Sequence, residues 1–339
     1  SDVTREVDVI EEVMRIYGYN NVEVSKNISY TAFNESKNFS VALESKINAV
    51  LEGFGFNEIM SLSLSKETYY TENNSNVKLL NALSNDLNVL RSDMIFSGLE
   101  AIAYNCNRKN SDLKFFEIGR TYHQGDEEFK SYHELKHLTL FLTGDLFKEN
   151  PHHLNKIADF AYLKSTVVNL MDKCGILNAR SNESSYPHFD FGLRYELNNK
   201  ALVELGSISK TLLKKFDINQ PVFYACFNFE LLLKAYSKQK IEFKEISKFP
   251  SVRRDLALLI DKTVNYQQIE ELAFTSEKKF LKEVNLFDVY EDQKLGNKKS
   301  YAVSFILMNQ EATLTDKQID GVMEKLIANY KEKLGAELR

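Results

Sequence analysis

The sequence has no closely spaced cysteine pair. Its three cysteines, Cys106, Cys174 and Cys226, lie far apart. That excludes a CxxC zinc site or a disulfide framework and fits a reducing, cytoplasmic setting with buried thiols. No apolar run approaches the roughly 18 residues that a membrane span needs. The first residues, SDVTREVD, are neither basic nor apolar, which argues against a signal peptide. No GxGxxG or Walker loop is present. There is no excess of positive charge either: 43 Lys and Arg stand against 48 Asp and Glu, a net charge of -5. Any contact with RNA therefore needs a local basic patch. The six histidines form no catalytic or metal-ligand constellation. His152 and His153 are adjacent and cannot face one way on a helix, while His123, His133, His137 and His188 are scattered and read as surface or structural residues.

What is there is enough for more than one core. A chain of 339 residues with 43% hydrophobic content predicts two or three domains. It starts one step before a helix, as expected of a fragment of a longer protein. Residues 2–17 predict an amphipathic helix with Thr4 as N-cap, Val9, Val13, Ile16 and Tyr17 on its apolar face and Gly18 at its end. Asp8, Glu11 and Glu12 share another face at helical spacing, and Asp2 lies just upstream. Four carboxylates so placed suit a hard cation such as Mg²⁺. The common alternative is that acids near a helix N-terminus simply complement its dipole.

A polar linker is expected at 22–35, then a helix with Phe39, Leu43, Ile47, Val50, Leu51 and Phe54 on one side, stopped by Gly53 and Gly55. The alternation from Glu58 to Leu64 predicts a half-buried strand with Met60, Leu62 and Leu64 inward. Residues 65–86 read as loop. From Leu87 to Tyr122 the chain runs LNVLRSDMIFSGLEAIAYNCNRKNSDLKFFEIGRTY. Ile95, Leu99, Ile102 and Cys106 mark a buried helical stripe. A polar turn follows, then a short strand, Phe115 to Ile118, closed by Gly119. Strands are expected around Leu138–Leu142, Leu193–Leu197, Ala201–Ile208 and Val222–Phe229, with helices after Asp159 and at Lys210–Phe216. This mixture lacks a regular βαβ period and fits an antiparallel sheet flanked by helices, an α+β fold. Residues 230–248 are charged and mark a boundary. Beyond them, strands at Asp255–Asp261, Val284–Tyr290 and Tyr301–Met308 alternate with helices at Tyr266–Phe274 and Asp316–Leu334, and an edge strand is expected at 336–339. That βαββαβ order is ferredoxin-like. Its cations bunch at Lys248, Arg253, Arg254, Lys298 and Lys299, at strand ends or a turn. Tyr290 and Tyr301 are candidates to stack on a base. The alternatives are a solvated turn and tyrosines packed in a core.

Three groups of residues carry a family resemblance: DVTREVDVIEEVMRIYGYNNV at the start, LSNDLNVLRSDMIFSGLEAIAYNCNRKNSDLKFFEIGRTY in the middle, and ISKFPSVRRDLALLIDKTV, LFDVYEDQKLGNKKSYAVSFIL and TLTDKQI with GAELR at the end. Together they resemble the β subunit of bacterial phenylalanyl-tRNA synthetase over essentially the whole chain. The resemblance implies the end of a B5 domain at 1–25, a non-catalytic class II synthetase-like module at 26–238, and a ferredoxin-fold anticodon-binding domain at 239–339. It implies that Asp2, Asp8, Glu11 and Glu12 hold a Mg²⁺ shared with an α subunit in an α2β2 heterotetramer. It further implies that this α subunit uses ATP to charge tRNA-Phe with phenylalanine. The last domain is then expected to contact the anticodon region, with no membrane involved.

A synthetase core must meet the charge on the α-phosphate of ATP with fixed cations. Such enzymes place an arginine after a glycine-rich strand, where the backbone comes close to the nucleotide. Neither LVELGSISKTLLKKF nor FNFELLLKAY has repeated glycines followed by Glu-Arg, and Gly206 stands alone. Arg91, Arg108, Arg120 and Arg194 lack that context, and isolated arginines read more naturally as structural ion pairs. The core is expected to keep the scaffold without the phosphate grip. The helix Phe39–Phe54 is the candidate for partner packing, with burial in its own module as the alternative. A self-sufficient synthetase and a free-standing RNA-binding ferredoxin-fold protein with a pseudo-enzyme module remain as rival readings.

Overall fold

The first helix, α1 (Glu6–Tyr17), leads into α2 (Phe39–Gly53) and the short strands β1 (Asn57–Glu58), β2 (Leu64–Ser65) and β3 (Val89–Leu90). Then come α3 (Ile95–Cys106), β4 (Leu113–Gln124), β5 (Tyr132–Thr143), α4 (Phe160–Lys173), β6 (Arg180–Glu183), β7 (Phe189–Leu197) and β8 (Lys200–Ile208). The order continues with α5 (Lys210–Lys215), β9 (Val222–Asn228), α6 (Phe229–Tyr236), β10 (Val252–Asp261), α7 (Tyr266–Ser276), β11 (Leu281–Tyr290), β12 (Lys298–Leu307), α8 (Asp316–Leu334) and β13 (Glu337–Leu338). The computed structural model describes residues 2–30, 38–70, 76–125, 131–147, 151, 156–240, 242–243, 245–292 and 295–338. His152 and His153 lie outside them, as do the 31–35 end of the expected polar linker and part of the loop expected at 65–86.

Two sheets organise the chain. The larger runs β1-β4-β5-β9-β8-β7-β6. Every neighbour in it is antiparallel except the short β1–β4 pair. Because successive strand side chains alternate, each strand feeds two cores. Phe116, Leu138, Leu140, Ala225 and Phe227 pack on one face against Leu43, Ile47 and Leu51 of α2, Leu163 and Val167 of α4 and Leu232 of α6. Phe115, Phe141 and Tyr224 pack on the other face against Ile95, Leu99 and Ile102 of α3 and Leu212 and Leu213 of α5. Helices α4, α5 and α6 start where Asp159, Ser209 and Asn228 accept backbone N–H groups of their first turns, which satisfies donors the helix leaves orphaned.

The smaller sheet runs β11-β12-β10-β13 and is antiparallel throughout. Among the described residues, helices cover one of its faces. Leu258, Ile260, Val303, Phe305 and Leu307 meet Ile269 of α7 and Ile319, Val322, Leu326 and Tyr330 of α8. This is the ferredoxin-like βαββαβ arrangement expected from the order of elements.

Four local expectations change. The segment Glu58–Leu64 is not one strand with its apolar residues inward. Ser61 turns in, donating its backbone N–H and hydroxyl to Glu117 at 3.2 and 2.9 Å, so Met60 and Leu62 are left 96% and 67% exposed. Strand β4 does not stop at Gly119 but continues to Gln124, paired with β5 along its length. The glycine is there for space: a Cβ at that position would collide with Arg91 and Met94. Residues 229–236 are helical, because Asn228 caps them and Phe229 and Leu232 are fully buried. Finally, the α2 stripe proposed for a partner packs inside its own module, with Leu43, Ile47 and Leu51 at 0% exposure.

Candidate functional site

The face of the large sheet that bears α3 carries most of the module's buried polar chemistry. Arg91 follows β3 and reaches back under Gly119. Its Nη1 donates to Glu117 at 2.9 Å and to Ser97 at 3.3 Å, and its Nε donates to the Arg120 carbonyl at 2.8 Å. Both members of the ion pair are almost fully buried. Glu117 is committed on its other side to Ser61. The Nε and Nη1 groups of Arg91 and both carboxylate oxygens of Glu117 are thus engaged by the protein, which is the arrangement of a structural bridge. Arg120 is exposed and lies 3.5 Å from Glu134. Arg194 on β7 pairs with Glu204 and, at 3.9 Å, with Glu196.

Gly206 is not alone in space. It pairs across β7–β8 with Gly192. A Cβ on either would strike the Phe189 ring and a neighbouring backbone carbonyl. The room these glycines leave is therefore filled by the chain's own aromatic ring. Phe189 contacts Tyr186 at 4.7 Å between centroids, and Tyr224 contacts Phe141 at 4.8 Å.

Beside this aromatic cluster, a cavity of about 290 Å³ opens between Asp93, Tyr186, Glu204 and the ends of β4, β5 and β9. Thr121 Oγ1 sits between the Nε2 atoms of His137 and His123, at 2.8 and 3.1 Å, and Cys226 Sγ lies 3.6 Å from His137 Nδ1. Burial holds His137 and His123 below the ordinary imidazole value of 6.5 and pushes the Cys226 thiol up to about 12, so both rings and the thiol are neutral near pH 7. No local sequence pattern announces this group. Thr121 and His123 alternate on β4, but His137 and Cys226 arrive through pairings of three strands.

On α1, the four acidic candidates do not converge on one point. Asp8 accepts the backbone N–H groups of Thr4 and Arg5 at 3.1 and 2.9 Å and pairs with the Arg5 guanidinium at 3.1 Å. The Arg5 side chain, then the two backbone bonds, hold its carboxyl below the usual range. Arg5 rather than Thr4 occupies the cap. Glu12 pairs with Arg15 at 2.9 Å, while Asp2 and Glu11 are exposed. Among the described residues, no group of three metal-ligating side chains is placed to hold an ion.

The bare face of the small sheet has a different character. Leu258 and Ile260 point to the helices, so Arg253, Asp255, Ala257 and Leu259 point away from them, as the period of two requires. Down the middle run Ser300, Ala302 and Ser304 of β12, small residues of which the two serines are buried between their neighbours. Phe287 is the extra residue of a bulge in β11, between the Leu286–Val303 and Asp288–Ala302 pairs. It is 53% exposed, and the Arg253 guanidinium lies 5.2 Å from its ring centre. Sequence reading missed Phe287, because a bulge breaks the alternation that would have assigned it a side.

The basic candidates fall into two groups on this sheet. Arg253 pairs with Ile306 and Asp261 with Lys298. The two ends are thus eight residues apart along β10, roughly 27 Å at strand rise. Lys248, Arg253 and Arg254 belong to one end. Arg253 bridges Asp255 at 2.8 Å, Arg254 donates to the Arg253 carbonyl at 3.2 Å and projects to the opposite face, and Lys248 is exposed. Tyr290, Lys298 and Lys299 belong to the other. The Tyr290 hydroxyl donates to Asp292 at 2.8 Å, Lys298 bridges Glu337 at 2.7 Å, and Lys299 lies 4.8 Å from the Tyr301 ring centre. Tyr301 itself is buried in the core and donates to the Val264 carbonyl, so it is no stacking platform.

Comparison with known proteins finds a match in each part of the chain. A family model described as the phenylalanyl tRNA synthetase beta chain CLM domain matches residues 27–229, and one described as a ferredoxin-fold anticodon binding domain matches residues 247–339. A phenylalanine--tRNA ligase beta subunit from Bacteroides fragilis is 42% identical over 354 residues, covering 100% of this chain and 43% of the relative. The one from Bacteroides thetaiotaomicron is 44% identical over 355 residues with the same shares, and that from Clostridium tetani 31% over 353. The chain thus spans less than half the length of these curated relatives. Among solved structures, a pyrrolysyl-tRNA synthetase from Desulfitobacterium hafniense aligns with a TM-score of 0.46 at 16% identity, covering 58% of this chain and 69% of that one. The chain belongs to the phenylalanyl-tRNA synthetase beta chain family, and it ends in a ferredoxin-fold anticodon-binding domain.

Proposed function

We propose that the chain serves as the structural and tRNA-holding half of a cytoplasmic phenylalanine-tRNA ligase. An α subunit carries out adenylation and transfer to tRNA-Phe, in an α2β2 assembly. The observation that carries this reading is how the arginines and paired glycines of the large sheet are used. Arg91 is spent on Glu117, Arg194 on Glu204 and Glu196, and Phe189 covers the paired glycines. Neither arginine is left free there to meet a nucleotide. We place the working division at 1–25, 26–238 and 239–339. The partner surface is assigned to the exposed apolar side chains Met60, Leu62, Leu80 and Leu83, in place of the buried stripe of α2. Asp2, Asp8, Glu11 and Glu12 are assigned to Mg²⁺ in the assembled enzyme, where Asp8 exchanges Arg5 for the ion. The small sheet is assigned to the anticodon region, with Arg253 at one end of its bare face, Tyr290 and Lys298 at the other and Phe287 added between them, and with Lys248, Arg254 and Lys299 beside the strand ends.

Mixing the chain with the α subunit tests this directly. The expected result is a complex of heterotetrameric mass that charges tRNA-Phe, while the chain by itself shows no ATP-dependent pyrophosphate exchange. Exchange by the isolated chain would favour a self-sufficient synthetase. Retained tRNA affinity without any complex would favour a free-standing RNA-binding protein. For the metal, Asp8→Ala is expected to lower the Mg²⁺ content of the assembled enzyme, and unchanged content removes the assignment.

A further inference from the structure

The cavity on the α3 face of the large sheet lies outside the functional reading above, and its chemistry is specific. We propose that it is a binding site for a small organic ammonium ion with an apolar body, held by Asp93 and Glu204. Its lining joins apolar residues, Met94, Leu202 and Val203, to the two carboxylates. Among the described residues, Asp93 is satisfied by neutral donors: the Ile95 backbone N–H at 3.0 Å and the Tyr186 hydroxyl at 2.5 Å. Glu204 shares Arg194 with Glu196 and takes a further bond from Ser184. Negative charge therefore exceeds positive charge around the cavity, and a partly enclosed site of low polarizability strengthens the pull on a cation.

The same lining disfavours the other obvious occupants. A metal ion needs converging ligands, and among the described residues no three acidic, histidine or cysteine side chains converge. An anion meets two carboxylates and, among the lining residues, no lysine or arginine. A wholly apolar molecule strips solvent from Asp93 and Glu204 and brings no positive charge to offset it. An amine with a compact hydrocarbon body suits both the apolar and the acidic lining, and about 290 Å³ admits one of roughly eight to ten heavy atoms.

Three probes of one size and different charge decide the matter: benzylamine, benzyl alcohol and benzoate. Each is titrated into the 339-residue chain while the imidazole signals of His123 and His137, which flank the cavity, are followed by NMR. Benzylamine is expected to shift both signals saturably, with an affinity at least about tenfold above that of benzyl alcohol, and benzoate to be weakest. Asp93→Asn keeps the oxygen that accepts the Ile95 N–H, and is expected to bring benzylamine down to the level of the alcohol. Ala201→Trp sits at an exposed position on the rim and is expected to abolish the shifts without disturbing the core. Equal affinity for amine and alcohol, a preference for benzoate, no saturable shift at millimolar concentration, or undiminished binding in Ala201→Trp would each overturn the proposal.

Discussion

The two sheets of this chain are built by the same rule and put to opposite uses. In the large one, α2, α4 and α6 cover one face and α3 and α5 the other. In the small one, α7 and α8 cover a single face and, among the described residues, the second stays bare. Their arginines follow suit. Arg91 is 3% exposed and holds Glu117, Ser97 and the Arg120 carbonyl. Arg253 stands in solvent on the bare face, beside an exposed phenylalanine. A buried guanidinium held by a buried carboxylate, a hydroxyl and a carbonyl is part of the frame. An exposed one beside an aromatic ring is available to phosphate and base. The contrast shows that an arginine's meaning in this chain lies in what already surrounds it, not in its presence at a strand end.

The sharpest way to break the comparison is to remove one half of the buried bridge. Glu117→Ala leaves Arg91 charged and unpaired, and is expected to cost about 3–5 kcal/mol of folding stability, read from urea or guanidinium denaturation. A loss below about 1 kcal/mol, the size of an exposed pair, would show that the bridge is not structural.

A smaller effect is expected on the other sheet. Phe287→Ala removes an exposed ring and no core packing. It is expected to leave stability within about 0.5 kcal/mol while weakening tRNA binding by about 1–3 kcal/mol, the range for a stacked base. Equal loss in both measurements would return Phe287 to the packing role of its strand neighbours.

The smallest effect is a matter of pH. Burial holds the folded His137 below 6.5, so the unfolded chain takes up that proton first. Stability from this group is whole above about 6.5 and falls as the pH drops through the folded value. Asp93 opposes the shift, while His123 and Arg91 reinforce it. The urea midpoint is expected to be lower at about pH 5 than at about pH 7, and the difference to shrink in His137→Gln. An unchanged difference would assign the pH response to other groups.

Much of this contrast is legible in the sequence itself. The apolar stripe Ile95, Leu99, Ile102 specifies α3, Asp159 marks the start of α4, and the alternation of strands and helices after residue 250 specifies the ferredoxin-like unit. These are local signals, carried by periodicity and caps. What stays hidden is decided by distant residues. Met60 and Leu62 face outward because Glu117, more than fifty residues on, draws Ser61 inward. The helix at 229–236 is masked by its charged surroundings, although Asn228 and Leu232 announce it in space. Arg253 and Lys298 look like members of one basic set in the sequence. Strand register places them at opposite ends of the sheet. The cavity at His137 and Cys226 is invisible for the same reason: no short window of sequence contains it.

The claim that the bare sheet face holds RNA rests most directly on salt dependence. Binding of tRNA-Phe is measured from about 50 to about 200 mM salt for the unaltered chain and for Arg253→Ala with Arg254→Ala. The account predicts weaker binding in the variant and a log–log slope shallower by about one to two units, one for each phosphate no longer neutralised. The same affinity and the same slope in both proteins would contradict it.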